Sequence, residues 1–145
     1  MTAHGRLSLI VSSGDYDRVH YALAMASAAL ATNRPVTLFF TMGALKALLA
    51  DRPDGIPGWA ALAPAPGGAT AIERDTRHGD TGIATMEELI AACVEFGTTF
   101  RACEMGLKAE GLSDSDFRPD VPVVVGGLVS FLAEAERDGG RIVFI

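Results

Sequence analysis

Leu7-Ser8-Leu9-Ile10-Val11-Ser12-Ser13-Gly14-Asp15 is the stretch on which the fold turns. Leu7 to Val11 is almost wholly apolar, as in a strand buried on both faces. Ser12-Ser13-Gly14 ends that strand. Asp15 stands where a side-chain oxygen can accept the N–H bonds that a helix's first turn leaves unmade. Tyr16, Val19, Leu23, Ala26 and Leu30 follow at helical steps, so one stripe of the helix faces a core. Asn33 and Pro35 stop it.

The strand-then-helix alternation continues outward. Pro35-Val36-Thr37-Leu38-Phe39-Phe40 has the branched and aromatic content of a second strand. A short helix is expected from Gly43 to Asp51, carrying Leu45, Leu48 and Leu49. Thr85-Met86-Glu87-Glu88 has the pattern of a capping box. Met86, Leu89, Ile90, Cys93 and Val94 form the stripe of the next helix, and Gly97 is its natural left-handed terminator. Thr98 to Cys103 reads as a third strand, followed by a helical turn with Met105 and Leu107 that closes at Gly111. Val121 to Val125 reads as a fourth strand, which Pro122 places at a start or an edge. Leu128, Phe131, Leu132 and Ala135 line a last helix ended by Gly139-Gly140, and Arg141 to Ile145 is a fifth strand. Five apolar strands separated by helices predict an α/β fold on a parallel sheet covered on both faces.

Residues 52–82 break the rhythm. They hold Pro53, Pro57, Pro64 and Pro66 and six glycines, at 55, 58, 67, 68, 79 and 82. Without periodicity the segment reads as a long irregular loop, either disordered or a functional lid. Trp59 within it reads as a lid anchor or an interface residue. His78, beside Arg74, Asp75, Arg77 and Asp80, reads as solvated. His20 reads as an ordinary packed or exposed side chain of the first helix.

Composition narrows the function. A chain of 145 residues is the usual size of one domain, expected here over 1–145. Lys+Arg 12 against Asp+Glu 18 gives −6, which argues against a nucleic-acid or anionic-membrane partner. The first residues run straight into a strand without a signal-peptide pattern, and Tyr21 to Thr32 is too short to span a bilayer. A cytoplasmic protein is therefore expected. Cys93 and Cys103 make no disulfide framework. His4, His20 and His78 are scattered and no C-x-x-C occurs, so no metal is expected. G-x-G-x-x-G, the P-loop pattern and the G-x-S-x-G elbow are all missing, and no cofactor is expected.

Chemistry in parallel α/β sheets gathers beyond the carboxyl ends of the strands. Those ends supply Ser12-Ser13-Gly14-Asp15, Thr41-Met42, Cys103-Glu104-Met105 and Gly126-Gly127. Cys103 is the one strong nucleophile among them. The positive end of a helix dipole there favours a thiolate, and Glu104 opposes this if it turns inward. The competing reading is a small apolar residue at a strand end. Cys93, on its helical stripe, reads as an inert core thiol. A Cys93–Cys103 disulfide stays open, provided the strand folds back beside the helix.

Several pieces together resemble one family. They are Leu9 to Asp15, Val36 to Thr41, Gly82 to Ile90, Ala102-Cys103-Glu104-Met105, Val125-Gly126-Gly127 and Ile142 to Ile145. The chain resembles the DsrE/DsrF-like proteins, in particular the small relatives often labelled peroxiredoxin-like. The Ala-Cys-Glu-Met element is the most specific piece. The resemblance implies a three-layer α/β/α fold with a five-stranded parallel sheet and flavodoxin-like layering. It implies homo-oligomers, often trimers or hexamers, and a role in sulfur trafficking.

In such proteins a cysteine carries sulfane sulfur as a persulfide, and Cys103 stands in its position. Ser12, Ser13, Gly14, Glu104, Met105 and Gly127 are then candidate neighbours of that sulfur. The implied partner is a small TusA-like sulfur-carrier protein, or another persulfide donor or acceptor. Segment 52–82 departs from the Met-rich stretches expected of relatives. Other readings stay open. A thiol peroxidase is disfavoured, because Phe100 stands where a peroxiredoxin has threonine and no proline lies between Pro66 and Cys103. A binding module would hold a small anionic ligand in the strand-end crevice. A structural subunit of a hetero-oligomer would use Cys103 only for packing.

Overall fold

The computed structural model of the chain describes residues 5–145. Its strands are β1 (Leu7–Val11), β2 (Val36–Phe40), β3 (Thr99–Cys103), β4 (Val123–Gly126) and β5 (Arg141–Phe144). They form one parallel sheet in the order β4-β3-β2-β1-β5. Five helices accompany them: α1 (Tyr16–Ala31), α2 (Ala71–Asp80), α3 (Met86–Glu95), α4 (Glu104–Glu110) and α5 (Leu128–Ala135). Helices cover both sides of the sheet, as the strand patterns predict.

The strand order explains how unevenly those sides are covered. From β1 through β4 each step moves the same way across the sheet. Right-handed crossovers keep the intervening helices on one face. Leu9, Val11, Leu38, Phe40, Phe100 and Ala102 meet α1 and α3 there, through Val19, Leu23, Ala26, Met86, Ile90 and Cys93. Leu107 of α4 belongs to the same cluster. The return from β4 to β5 runs back across the sheet, so α5 lies on the opposite face. It buries Phe131 and Ala135 against Phe39, Cys103 and Ile10. The Phe39 and Phe131 rings stack with centroids 4.4 Å apart. An eight-residue helix cannot cover five strands, and Val124 stays 54% and Phe144 71% exposed on that face.

Segment 52–82 is not irregular throughout, contrary to the sequence expectation. It holds a short 3₁₀ turn (Gly58–Ala61) and the ten-residue helix α2. Thr70 caps α2, its hydroxyl accepting the Glu73 N–H. Only Ala71 and His78 of this helix are buried, so it carries no apolar stripe for a pattern to reveal. Trp59 anchors the turn, donating its indole N–H to Glu87 at 2.7 Å. Glu87 also receives two bonds from Arg118, which in turn holds Asp120.

Polar side chains dock α2 on the neighbouring helices. Arg74 reaches Asp17 at 3.0 Å. The Tyr16 hydroxyl donates to Asp75, whose carboxylate also accepts the Met86 N–H at 2.7 Å. His78 is buried against His20, with ring centroids 4.3 Å apart, so the expected solvated histidine is a packed one. His20 bonds the Ala84 carbonyl at 2.8 Å. His4 lies outside the described residues. Two further expectations shift. The short helix after β2 is a 3₁₀ turn, Met42–Leu48. Asp15 occupies the N-cap of α1, but its carboxylate makes no capping bond; its N–H instead donates to the Ser13 hydroxyl.

Candidate functional site

Cys103 ends β3 and is the N-cap residue of α4. In the strand it alternates with Phe100 and Ala102, which face the α1/α3 core, so its side chain points to the α5 face. Its register partner on the edge strand is Gly126. The loop after β3 leads into α4 on one face, and the loop after β4 leads into α5 on the other. Cys103 and Gly126 therefore sit where neighbouring crossovers part, the position at which open α/β sheets form their crevice.

The neighbouring strand ends are drawn tightly together. Gly106 in the first turns of α4 sits against Thr41 and Met42, which follow β2. Met42 takes a left-handed backbone conformation, φ 51, that costs a side-chain-bearing residue about 1–2 kcal/mol. Gly43 lies so close to Gly14 that a Cβ on it would fall 3.0 Å from the Gly14 Cα. Ser12 donates to the Ile145 carbonyl at 3.3 Å. Because the sheet is parallel, the loops after β1, β2, β3 and β4 leave it at one end, and the side chains clustered with Cys103 itself are those of Phe39, Phe131, Ala135 and Ile10. Glu104 and Met105 point outward and are exposed, whereas Gly127 is the N-cap of α5. A shallow cavity of about 300 Å³, lined by Glu104, Leu107, Lys108, Ser113, Asp114 and Val125, lies on the α4 side of this end.

The two cysteines occupy different worlds. Cys93 is fully buried between α3 and α1, its thiol directed at the Leu23 carbonyl. Burial pushes that thiol up to about 11, only partly offset by the Thr98 side chain. Cys103 belongs to the cluster on the opposite face of the sheet. The sheet lies between them, both are free, and no disulfide joins them. Cys103 is itself only 2% exposed, screened by the α5 cluster. Among the described residues, no three His, Cys, Asp or Glu side chains converge as a metal set.

Residues 6–144 match the DsrE/DsrF-like family. The chain belongs to that family. No curated protein matches it significantly. Solved structures share its fold at low identity. One is the protein of unknown function MTH1491 from Methanobacterium thermoautotrophicum, at 16% identity and TM-score 0.58, covering 98% of this chain and 100% of that one. Another is the ychN protein from E. coli, at 14% and 0.56, with the same coverage. A third is the protein of unknown function BT1422 from Bacteroides thetaiotaomicron, at 15% and 0.56, covering 97% of this chain and 94% of that one.

Several residues around the cysteine of this DsrE/DsrF-like chain escaped sequence reasoning. Phe39 and Phe131 screen it, and Arg101, two residues before it, pairs with Glu134 of α5. The alternation of β3 places Arg101 on the Cys103 face, so its presence was readable. Its partner was not, because nothing local fixes where α5 crosses.

Proposed function

We propose that Cys103 carries sulfane sulfur as a persulfide and relays it between thiol partners. The DsrE/DsrF-like family is generally linked to sulfur relay. The observation that carries the reading is the placement of Cys103 at the crevice end of β3, beside Gly126, while Cys93 is sealed in the opposite core.

The step balances as a sulfur transfer. The Cys103 thiolate attacks the outer sulfur of a donor persulfide. A new S–S bond forms on Cys103 as the donor's S–S bond breaks, and the donor leaves as a thiolate. An acceptor thiolate then attacks the same outer sulfur, which restores the Cys103 thiolate. A small TusA-like carrier suits either role. The apolar side chains that α5 leaves exposed on its face of the sheet, Val124 and Phe144 among them, support a homo-oligomer. The reading places the protein in the cytoplasm, and among the described residues no helix is long and apolar enough to cross a membrane.

Incubation with a persulfidated donor, followed by peptide mass spectrometry, tests the assignment. The expected product is a gain of about 32 Da, one sulfur atom, on the Cys103 peptide. A gain on Cys93 alone, or none, overturns it.

A further inference from the structure

A thiol that meets a protein partner has to be reached, and Cys103 is covered. Its cover is α5, through Phe131 and Ala135. That helix is lightly held. Phe131 and Ala135 are its only buried residues, and Val129 on its outer side is 84% exposed. The Arg101–Glu134 ion pair ties its second half to β3. At that end Gly140 packs hard against the Ala135 carbonyl, where a Cβ would fall 2.0 Å from the oxygen, so the end of the helix is anchored. The other end is free of such contacts. Gly126 closes β4 as the register partner of Cys103 and Gly127 is the N-cap of α5, and a Cβ on either would meet nothing within 4 Å. Neither glycine has the left-handed φ that would require glycine. Two adjacent glycines that no packing and no turn demands form a compliant joint next to Cys103.

We propose that α5 is a lid over Cys103, hinged at Gly126-Gly127 and anchored at Ala135-Gly140. Lifting its first half withdraws Phe131 and uncovers the thiol. The proposal deepens the reading of Cys103 as the sulfur-bearing residue and rests on it for the lid's purpose. The closed lid shields a loaded persulfide from stray thiols, and the open one admits a partner.

The rate of Cys103 alkylation by iodoacetamide reads the lid directly, scored on the Cys103 peptide in the intact chain. Wild-type Cys103 is expected to react far more slowly than in the urea-unfolded chain. Phe131→Ala, which removes the plug, speeds the reaction about tenfold or more. Gly126→Ala and Gly127→Ala, which stiffen the joint without a clash, each slow it about two- to fivefold. Near-UV circular dichroism checks folding. If Phe131→Ala does not fold, the two glycine variants decide alone.

Wild-type alkylation as fast as in urea overturns the proposal. So does a rate unmoved by the glycine variants. Iodoacetamide needs no sulfur donor, so the two readings fail separately. Gated alkylation without any gain of sulfur would overturn the relay and leave the lid, and ungated alkylation with sulfur loading would do the reverse.

Discussion

Gly106 of α4 stands against Thr41, where a Cβ would come 2.6 Å from the Thr41 hydroxyl oxygen and 2.7 Å from the Met42 amide nitrogen. Through this contact the helix that follows Cys103 is pressed onto the end of β2. Gly106→Ala must push the two apart, because the Met42 amide nitrogen in its way is fixed in the backbone. The expected cost is about 1–3 kcal/mol. A urea unfolding curve measures it, and an unchanged midpoint would show that α4 has room to shift.

The two cysteines should separate cleanly by mutation. Cys103→Ser leaves the main core untouched and abolishes sulfur loading. Cys93→Ser keeps loading but places a hydroxyl between α1 and α3, at a cost of about 1–3 kcal/mol. Loading assays and denaturation on both variants give the comparison. The opposite assignment would reverse both results.

The histidine contact between α1 and α2 makes stability depend on pH near neutrality. Burial holds His78 below the usual histidine range, helped by His20 and Arg74 and opposed by Asp17 and Asp75. The unfolded chain therefore binds a proton near pH 6.5 that the folded chain resists. Stability should be full above that value and decline as pH falls below it toward the folded one. Urea midpoints at about pH 7.5 and 5.5 test this. His78→Gln should flatten the decline, and an equally steep one in the variant would assign it elsewhere.

Trp59 reports on a second, more acidic window. Arg118 holds the Glu87 carboxyl below the usual carboxylate range, and the Trp59 indole N–H adds to the effect. Stability from this group is present above about pH 4.5 and is lost as pH falls through the depressed folded value. Trp59 is the only tryptophan, so its emission follows the event without labels. Glu87→Gln should remove the acid-dependent part of the change. Arg118→Ala should destabilise by about 1–3 kcal/mol, because Glu87 and Asp120 lose their shared cation.

Self-association should depend on the face that α5 leaves open. Phe144→Lys and Val124→Lys place charges where exposed apolar side chains now stand. Light scattering after size exclusion is expected to show an oligomer for the wild-type chain and a smaller species for the variants. A monomeric wild-type chain would remove this part of the functional reading.

The sheet was readable because each strand announces itself locally. Leu7 to Val11 and Val36 to Phe40 are apolar enough to be buried on either face, and the capping box at Thr85 fixes where α3 begins. Helix α2 was not readable by the same means, since Thr70 and Glu73 signal its start but no stripe follows. The polar junction of Tyr16, Asp75, His20 and His78 joins residues far apart in the chain, so no short pattern contains it. At the candidate site, Cys103 was singled out by its place at a strand-to-helix boundary together with the Ala-Cys-Glu-Met resemblance. Its cover did not, because Phe39 and Phe131 meet only after the chain has crossed back over the sheet.

That crossing also orders the assembly of the molecule in time. β5 lies beside β1, with Leu7 paired to Arg141, and Ser12 bonds the Ile145 carbonyl across a sequence separation of 133 residues. Such a closure is entropically late, after the nearer strands have zipped together. Until it happens, central β1 presents a bare hydrogen-bonding edge to any passing strand, the usual starting point for domain exchange and aggregation. Amide exchange should accordingly release β5 before β1, β2 or β3, opening the seam between the first strand and the last.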